Sequence, residues 1–396
     1  MGVQRDILVL SGVRTAIGDY NGGLKDFAPT DLGQRVVTEA IRRAGIDPGS
    51  VEQGFFGHII HTEPKDMYVS RVSCVRGGMS HDSQAMGVNR LCGSGLQAVV
   101  NAAQQIALGE ADVTIGAGVE SMTRAGYLMP HARWGARMGD TKLLDMMVGA
   151  LTDPFEGTHM GITAENLAVK WGISREEQDA YSVESHRRAA HAIAEGRFKE
   201  QILPIEQSTK KGTIIFDKDE HVRSGDTLAD LAKLRPAFKS EGGTVTAGNA
   251  SSLNDGAAAL VLASGKAAAQ AGAKAIARVA GWGLGGVHPS YMGEGPIPAV
   301  RKALLSAGLK LSDIDVIEAN EAFAAQALAV AKALEFDPAK TNPNGGAVAL
   351  GHPIGATGAI LVVKAIHELH RTGGRYALVT LCIGGGQGIA AIFERV

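Results

Sequence analysis

The chain has 396 residues, 45% hydrophobic and 20% charged, with a net charge of −2. That composition supplies ample core for two or three domains and excludes nucleic-acid binding driven by a global positive field. No apolar run is as long as a membrane span, and three cysteines form neither a disulfide framework nor metal-ligand spacing. A reducing, cytoplasmic setting without a metal is expected.

The chain begins with a strand at 6–11, without the long apolar core of a signal peptide. A helical period runs over 31–44 and stops at Gly45, a good C-cap. A strand is predicted at 54–60, a helix at 95–108 closing on Gly109, and a strand at 112–116. This alternation argues for an α/β protein with a largely buried sheet. The segment 122–239 has a different character. It holds the loop Met129-Pro130-His131-Ala132-Arg133-Trp134 and a charged helix over 174–195, opened by a Ser174/Glu177 capping box. It reads as an inserted loop domain covering a site built by the core.

The second half repeats the first. Ala44-Gly45-Ile46 and Ala307-Gly308-Leu309 lie 263 positions apart, as do the helix openings at Gly95 and Gly358. Each of those helices leads to a strand 17 residues on, at Asp112 and at Arg375. Chance similarity of Ala-rich helices would not produce one shared offset. A duplicated fold is expected, with Cys92 in register with Gly355, three positions past His352, and the two half-sites facing each other.

Chemistry concentrates in three glycine-rich turns. Cys92 precedes Gly93-Ser94-Gly95 and a helix, whose dipole is expected to lower the thiol pKa. Glycines there free backbone N–H groups for an oxyanion. A buried structural cysteine is the competing reading. His352 sits in Gly351-His352-Pro353-Ile354-Gly355, and Pro353 keeps it out of the α region. Most of the chain's 12 histidines must be ordinary loop or core residues, but few have such glycine density. Cys382 follows a strand at 375–381 and precedes Gly384-Gly385-Gly386. No Lys-Ser/Thr follows, so this is not a P-loop. Asn320-Glu321 ends a strand at 316–318, where α/β proteins place site residues, although Asn320 could equally be an N-cap. Two thiols and an imidazole in such settings suggest nucleophilic catalysis with a separate proton transfer.

Together these segments resemble the thiolase family. Cys92-Gly-Ser-Gly, Asn320-Glu-Ala-Phe-Ala, Gly351-His-Pro-Ile-Gly-Ala-Thr-Gly and Cys382-Ile-Gly-Gly-Gly-Gln-Gly occur in the family's order, and the likeness spans nearly the whole chain. It is nearest to bacterial biosynthetic-type β-ketothiolases. Thr62-Glu63-Pro64, Asp66-Met67-Tyr68 and the 133–140 stretch point within these to the broader-range enzymes of polyhydroxyalkanoate producers.

The resemblance implies a duplicated thiolase fold: two similar βαβαβαββ halves in a five-layer α-β-α-β-α arrangement. The halves would be 1–121 with about 240–270, and 271–396, with 122–239 as the loop domain. It implies Cys92 as nucleophile, deprotonated by His352, and Cys382 as the base for the α-proton of acetyl-CoA. His352 and an Asn320-held water would stabilise the enolate, and the N–H groups of Cys92 and Gly384 the tetrahedral intermediate. CoA would meet Leu151, His159, Met160, Arg223, Ala237, Phe238, Ala247 and Ser251; Met292 and Phe323 would line the acyl pocket. CoA and acyl-CoA are substrates, and no cofactor is held permanently. A homotetramer assembled through the 129–140 loop is implied, with no nucleic-acid or membrane partner. Asp230, where relatives often place a CoA-facing Ser, and Glu294, where a smaller or apolar residue is usual, depart from the pattern. The alternatives are a degradative 3-ketoacyl-CoA thiolase preferring longer chains, a decarboxylating ketosynthase, and a non-catalytic CoA-binding protein of the same fold. A ketosynthase would carry His at the position of Cys382. The non-catalytic protein would have lost one of the three reactive groups.

Overall fold

A computed structural model describes residues 6–209 and 212–396. The opening segment read from Met1 therefore falls outside the described residues over 1–5. The first half runs β1 (Ile7–Thr15), α1 (Pro29–Ala44), β2 (Gln53–Gly57), β3 (Gln84–Val88), α2 (Ser94–Leu108) and β4 (Val113–Ser121). A long excursion follows, containing α3 (Met160–Trp171) and α4 (Arg175–Ala194). The chain then returns as β5 (Asn254–Ser264). The second half is β6 (Ala277–Gly286), α5 (Pro296–Ala307), β7 (Val316–Ala319), α6 (Ala324–Leu334), α7 (Thr357–Thr372), β8 (Tyr376–Ile383) and β9 (Gln387–Arg395).

The strand order is β1-β5-β4-β2-β3 in one half and β6-β9-β8-β7 in the other. These are the same order, and a bridge from Ile317 to Thr341 stands where β3 would be. The duplication extends to register. Gln53 pairs in parallel with Thr114, and Val316 with Ala377, so both partners move by 263 positions. Both outer helices end on a left-handed glycine, Gly45 (φ 66°) and Gly308 (φ 67°), again 263 apart. Each cap closes its helix without a Cβ penalty.

Helices α2 and α7 pack against each other between the two half-sheets, while α1 and α5 cover the outer faces, which makes five layers. The middle helices touch at glycines. A Cβ on Gly95 would lie 2.8 Å from the Ala359 nitrogen, and one on Gly358 would collide with the Leu96 backbone. The halves are not wholly separate sheets. Leu8 and Val9 of β1 pair with Arg278 and Ala277 of β6, joining the strands into one hydrogen-bonded path.

Most boundaries match expectation, with strands β1 and β4 extending further than predicted. The Ser174/Glu177 capping box is formed. Cys382 is a correction: it lies inside β8, paired with Gly388 of β9, rather than after the strand. Asn320 is not a cap; Phe323 precedes α6 in that place. Among the described residues no helix is long and apolar enough to cross a membrane.

Candidate active site

One cavity of about 430 Å³ lies between the core loops and the 122–253 excursion. Cys92, His352 and Gly384 line it. So do Leu151, His159, Met160, Arg223, Ala237, Phe238, Ala247, Ser251, Met292 and Phe323. Asn320 and Cys382 do not line it; Asn320 contacts His352, and Cys382 packs in one cluster with Met160, Met292 and Phe323.

Cys92 is carried on a tight turn. Leu91 sits at φ 44°, a left-handed conformation that costs a branched residue roughly 1–3 kcal/mol. Asn89 Oδ1 accepts from the Leu91 N–H at 3.1 Å. Ser94 Oγ accepts from the Arg90 N–H at 2.8 Å and donates to the Leu91 carbonyl at 2.6 Å. The strained turn presents Cys92, which is half-buried, to the cavity at the start of α2.

Burial pushes the Cys92 thiol up to about 11, opposed by the backbone N–H groups of Gly384 and of Cys92 itself. The direction is opposite to that expected at a helix start: loss of water outweighs both N–H groups. Glycine at 384 leaves room for Met160, whose Cε would lie 2.8 Å from a Cβ there. The following Gly385 (φ 80°) and Gly386 (φ 86°) turn the chain from β8 into β9.

His352 is buried, and burial lowers its pKa to about 4, so the ring is neutral at pH 7. Its backbone N–H donates to Asn254 Oδ1 at 2.8 Å. Nδ1 lies 2.7 Å from Thr357 Oγ1 and Nε2 lies 3.3 Å from the Asn320 amide nitrogen. Asn320 Oδ1 is buried without a protein partner. Cys382 is fully buried, and its pKa is raised first by burial and then by the nearby Cys92 charge. Cys92 and Cys382, from opposite halves of the duplication, are thus close enough to couple.

The cavity wall is aromatic where the excursion meets the core. His159 stacks on Phe238 with ring centroids 4.5 Å apart, and Phe238 meets Phe323 edge-on at 6.1 Å. Gly161 permits this, because a Cβ there would run into the Phe238 ring. His159 Nδ1 accepts the Gly161 N–H at 3.0 Å, and burial lowers its pKa. Arg223 is partly exposed at the cavity mouth, with Asp226 3.7 Å away.

Neither of the two departures from the family pattern lies in the cavity wall. Asp230 does not line the cavity; it closes a capping box with Thr227 and pairs with Lys233 at 2.9 Å on the surface. Glu294 also lies outside the wall, bonded to Trp171 and Lys170.

Several residues here were not foreseen. Thr357 stands inside the glycine-rich run, and a small hydroxyl five positions past a histidine at a helix start is a usable signal. Met122, Met147 and His221 also line the cavity and carry no local signature, and Ile354 joins them from within the His352 motif. Glu321 accepts from Tyr181 (2.9 Å), Ser185 (2.8 Å), Asn342 (2.8 Å) and the Val348 N–H (3.1 Å), tying the Asn320 strand end to α4 and to the loop before His352.

The family descriptions "Thiolase, N-terminal domain" and "Thiolase, C-terminal domain" match residues 7–266 and 273–395. The chain belongs to the thiolase family. It is 60% identical to "Beta-ketothiolase BktB" of Cupriavidus necator, with 100% of both chains covered. It is 48% identical to an acetyl-CoA acetyltransferase of Syntrophomonas wolfei, covering 99% of this chain and 100% of that one. Human mitochondrial 3-ketoacyl-CoA thiolase superposes with a TM-score of 0.97 at 44% identity over 100% of both chains. Its complex with CoA superposes at 0.96, also at 44% identity, covering 100% of this chain and 99% of that one. The expected fold and enzyme class, an acyltransferase, both stand.

Proposed function

We propose that this β-ketothiolase works by ping-pong covalent catalysis through acyl-Cys92. It joins acetyl-CoA to an acyl-CoA to give a 3-ketoacyl-CoA and CoA, and cleaves in reverse. The observation that carries the reading is the convergence of Cys92, His352, the Gly384 N–H and the buried Cys382 at one end of a single apolar cavity.

His352 Nε2 takes the Cys92 proton as the thiolate attacks the thioester carbonyl. The tetrahedral oxygen is met by the Cys92 and Gly384 N–H groups, and collapse expels CoA thiolate, which takes the Cys382 proton and leaves a Cys382 thiolate beside protonated His352. In the second half, Cys382 removes the α-proton of acetyl-CoA. The enolate oxygen is met by His352 and by a water on Asn320, whose unpartnered Oδ1 suits that role. The carbanion attacks acyl-Cys92, and Cys92 leaves as a thiolate that recovers its proton from His352. No step needs a metal or a resident cofactor. A reducing compartment, the cytoplasm, suits two thiols that must stay free.

CoA lies along the wall formed by Leu151, His159, Met160, Ala237, Phe238, Ala247 and Ser251, with Arg223 at the mouth facing the nucleotide end. The acyl group points toward Met292 and Phe323. Residues 122–239 act as the covering domain, since His159, Met160, Arg223, Ala237 and Phe238 all come from it. Trp134 is 75% and Met138 98% exposed in the 129–140 loop, which supports assembly into a homotetramer through that loop. A stable monomer in sedimentation would overturn the assembly.

The reaction is tested by following loss of 3-ketoacyl-CoA absorbance on adding CoA, with acetoacetyl-CoA, 3-ketovaleryl-CoA and 3-ketooctanoyl-CoA. Turnover of the two shorter substrates supports a broad-range β-ketothiolase, and preference for the longest supports the degradative reading. No turnover, or full activity in Cys92→Ser, would overturn the mechanism.

A further inference from the structure

The turn carrying Met292 is held from outside the cavity by one carboxylate. Residues Pro289–Glu294 form a short helical turn leading into α5, with Tyr291 out of helical geometry (φ −125°, ψ 36°). Met292, 3% exposed, packs in one cluster with Met160, Leu167, Phe323 and Cys382. Two residues on, Glu294 turns away from the cavity toward the end of α3. Its Oε1 accepts from Trp171 Nε1 at 2.8 Å, and Lys170 Nζ lies 2.8 Å from Oε1 and 2.9 Å from Oε2. The same ammonium stands 4.5 Å over the Tyr291 ring. A further bond, Asn166 Nδ2 to the Ser290 carbonyl at 3.1 Å, joins the same turn and helix.

We propose that Glu294, through Trp171 and Lys170, sets the acyl-chain length this enzyme accepts. Helix α3 supplies Met160 to the cavity at its first residue and the Trp171 and Lys170 donors at its last two. The turn supplies Met292 and the Glu294 acceptor. The clamp therefore fixes the gap between two cavity-lining methionines. Methionine side chains are flexible and fill whatever space the backbone leaves them. The backbone separation, and hence the clamp, decides how deep the acyl end is. Glu294 touches no substrate; it is a positioning residue. The inference rests on the placement of the acyl group toward Met292.

The test measures kcat/KM for thiolysis of acetoacetyl-CoA, 3-ketovaleryl-CoA and 3-ketooctanoyl-CoA in wild type, Glu294→Ala, Glu294→Gln and Trp171→Phe. Glu294→Ala and Trp171→Phe are expected to raise the ratio of the longest to the shortest substrate by about tenfold, the lower end of what one methylene contributes in an apolar pocket. Glu294→Gln keeps an acceptor for Trp171 and is expected to fall between them and wild type. A purely structural clamp would lower the thermal midpoint and leave the ratio alone. An unchanged ratio in the active variants would overturn the inference. If Glu294→Ala does not fold, the other two variants decide. Failure of wild type to turn over any substrate would instead strike the proposed reaction, so the two failures are distinct.

Discussion

The Thr357 hydroxyl lies 2.7 Å from His352 Nδ1 and donates its proton to the Pro353 carbonyl at 2.9 Å. With that proton spent, Nδ1 must be the donor, and the lone pair of the neutral ring is on Nε2. The second nitrogen of a histidine thereby sets what the first can do. Thr357→Val removes the acceptor and leaves Nδ1–H buried and unpaired, at a cost of about 1–3 kcal/mol. We expect kcat to fall at least about tenfold, by the size of a misplaced general base, while Thr357→Ser retains most activity. Equal activity of the Val and Ser variants would refute the tautomer.

Cys92 and His352 rest uncharged. A thiol held near 11 should be alkylated by iodoacetamide at a rate that climbs through pH 8–10 without a plateau. A plateau near neutrality would mean a preformed thiolate–imidazolium pair.

Acid should destabilise the fold through its buried neutral histidines. His352, His186 and His367 are each lowered to about 4, with burial the leading cause for all three. Unfolded, each titrates near about 6.5. Between those values the unfolded chain binds more protons, so stability is full above about 6.5 and is lost as pH falls toward 4. His58 is the exception. Burial lowers its pKa, but Glu120, the Val119 carbonyl and Asp66 together hold it raised. Urea midpoints measured across the window should fall as pH falls, and a flat profile would contradict the assignment.

Lys364 and Glu318 form a buried ion pair at 2.8 Å, and Lys364 also donates to the Gly345 carbonyl at 2.9 Å. The pair braces β7, just before Asn320, against the loop leading to His352. Lys364→Met strands a buried carboxylate, whose pKa burial already raises. A loss of about 3–5 kcal/mol is expected. Adding Glu318→Leu should recover much of it in denaturant titrations.

Gly358→Ala should be more damaging than the addition of one methyl group suggests. The new methyl meets the Leu96 backbone where α2 and α7 cross. Overpacking costs about 1–3 kcal/mol, and helices forced apart also separate the turns that carry Cys92 and His352. Activity should fall more than stability does, as read by kcat and thermal midpoint together.

Much of this was legible in the chain. The glycines at 45 and 308 are needed for left-handed helix caps and those at 95 and 358 for close helix contact, so together they carried the element ends and the 263-residue offset. The three reactive groups were legible for the same reason. What was not legible is set by remote packing. The acidity of Cys92 depends on how much of the 122–253 excursion closes over it, and no local pattern encodes that. The four bonds on Glu321 come from α4 and from the loop before His352, elements far apart in sequence. The glycines that begin two residues after Cys382 suggest a strand that stops before it; pairing with Gly388 carries β8 through it.

The most direct measurement is the mass of the intact protein after brief mixing with acetyl-CoA, followed by peptide mapping. One acetyl group on the peptide containing Cys92, removed by added CoA and absent in Cys92→Ser, is the predicted result. Acetyl-CoA cleavage with no covalent species, or acetylation confined to Cys382, would contradict the account.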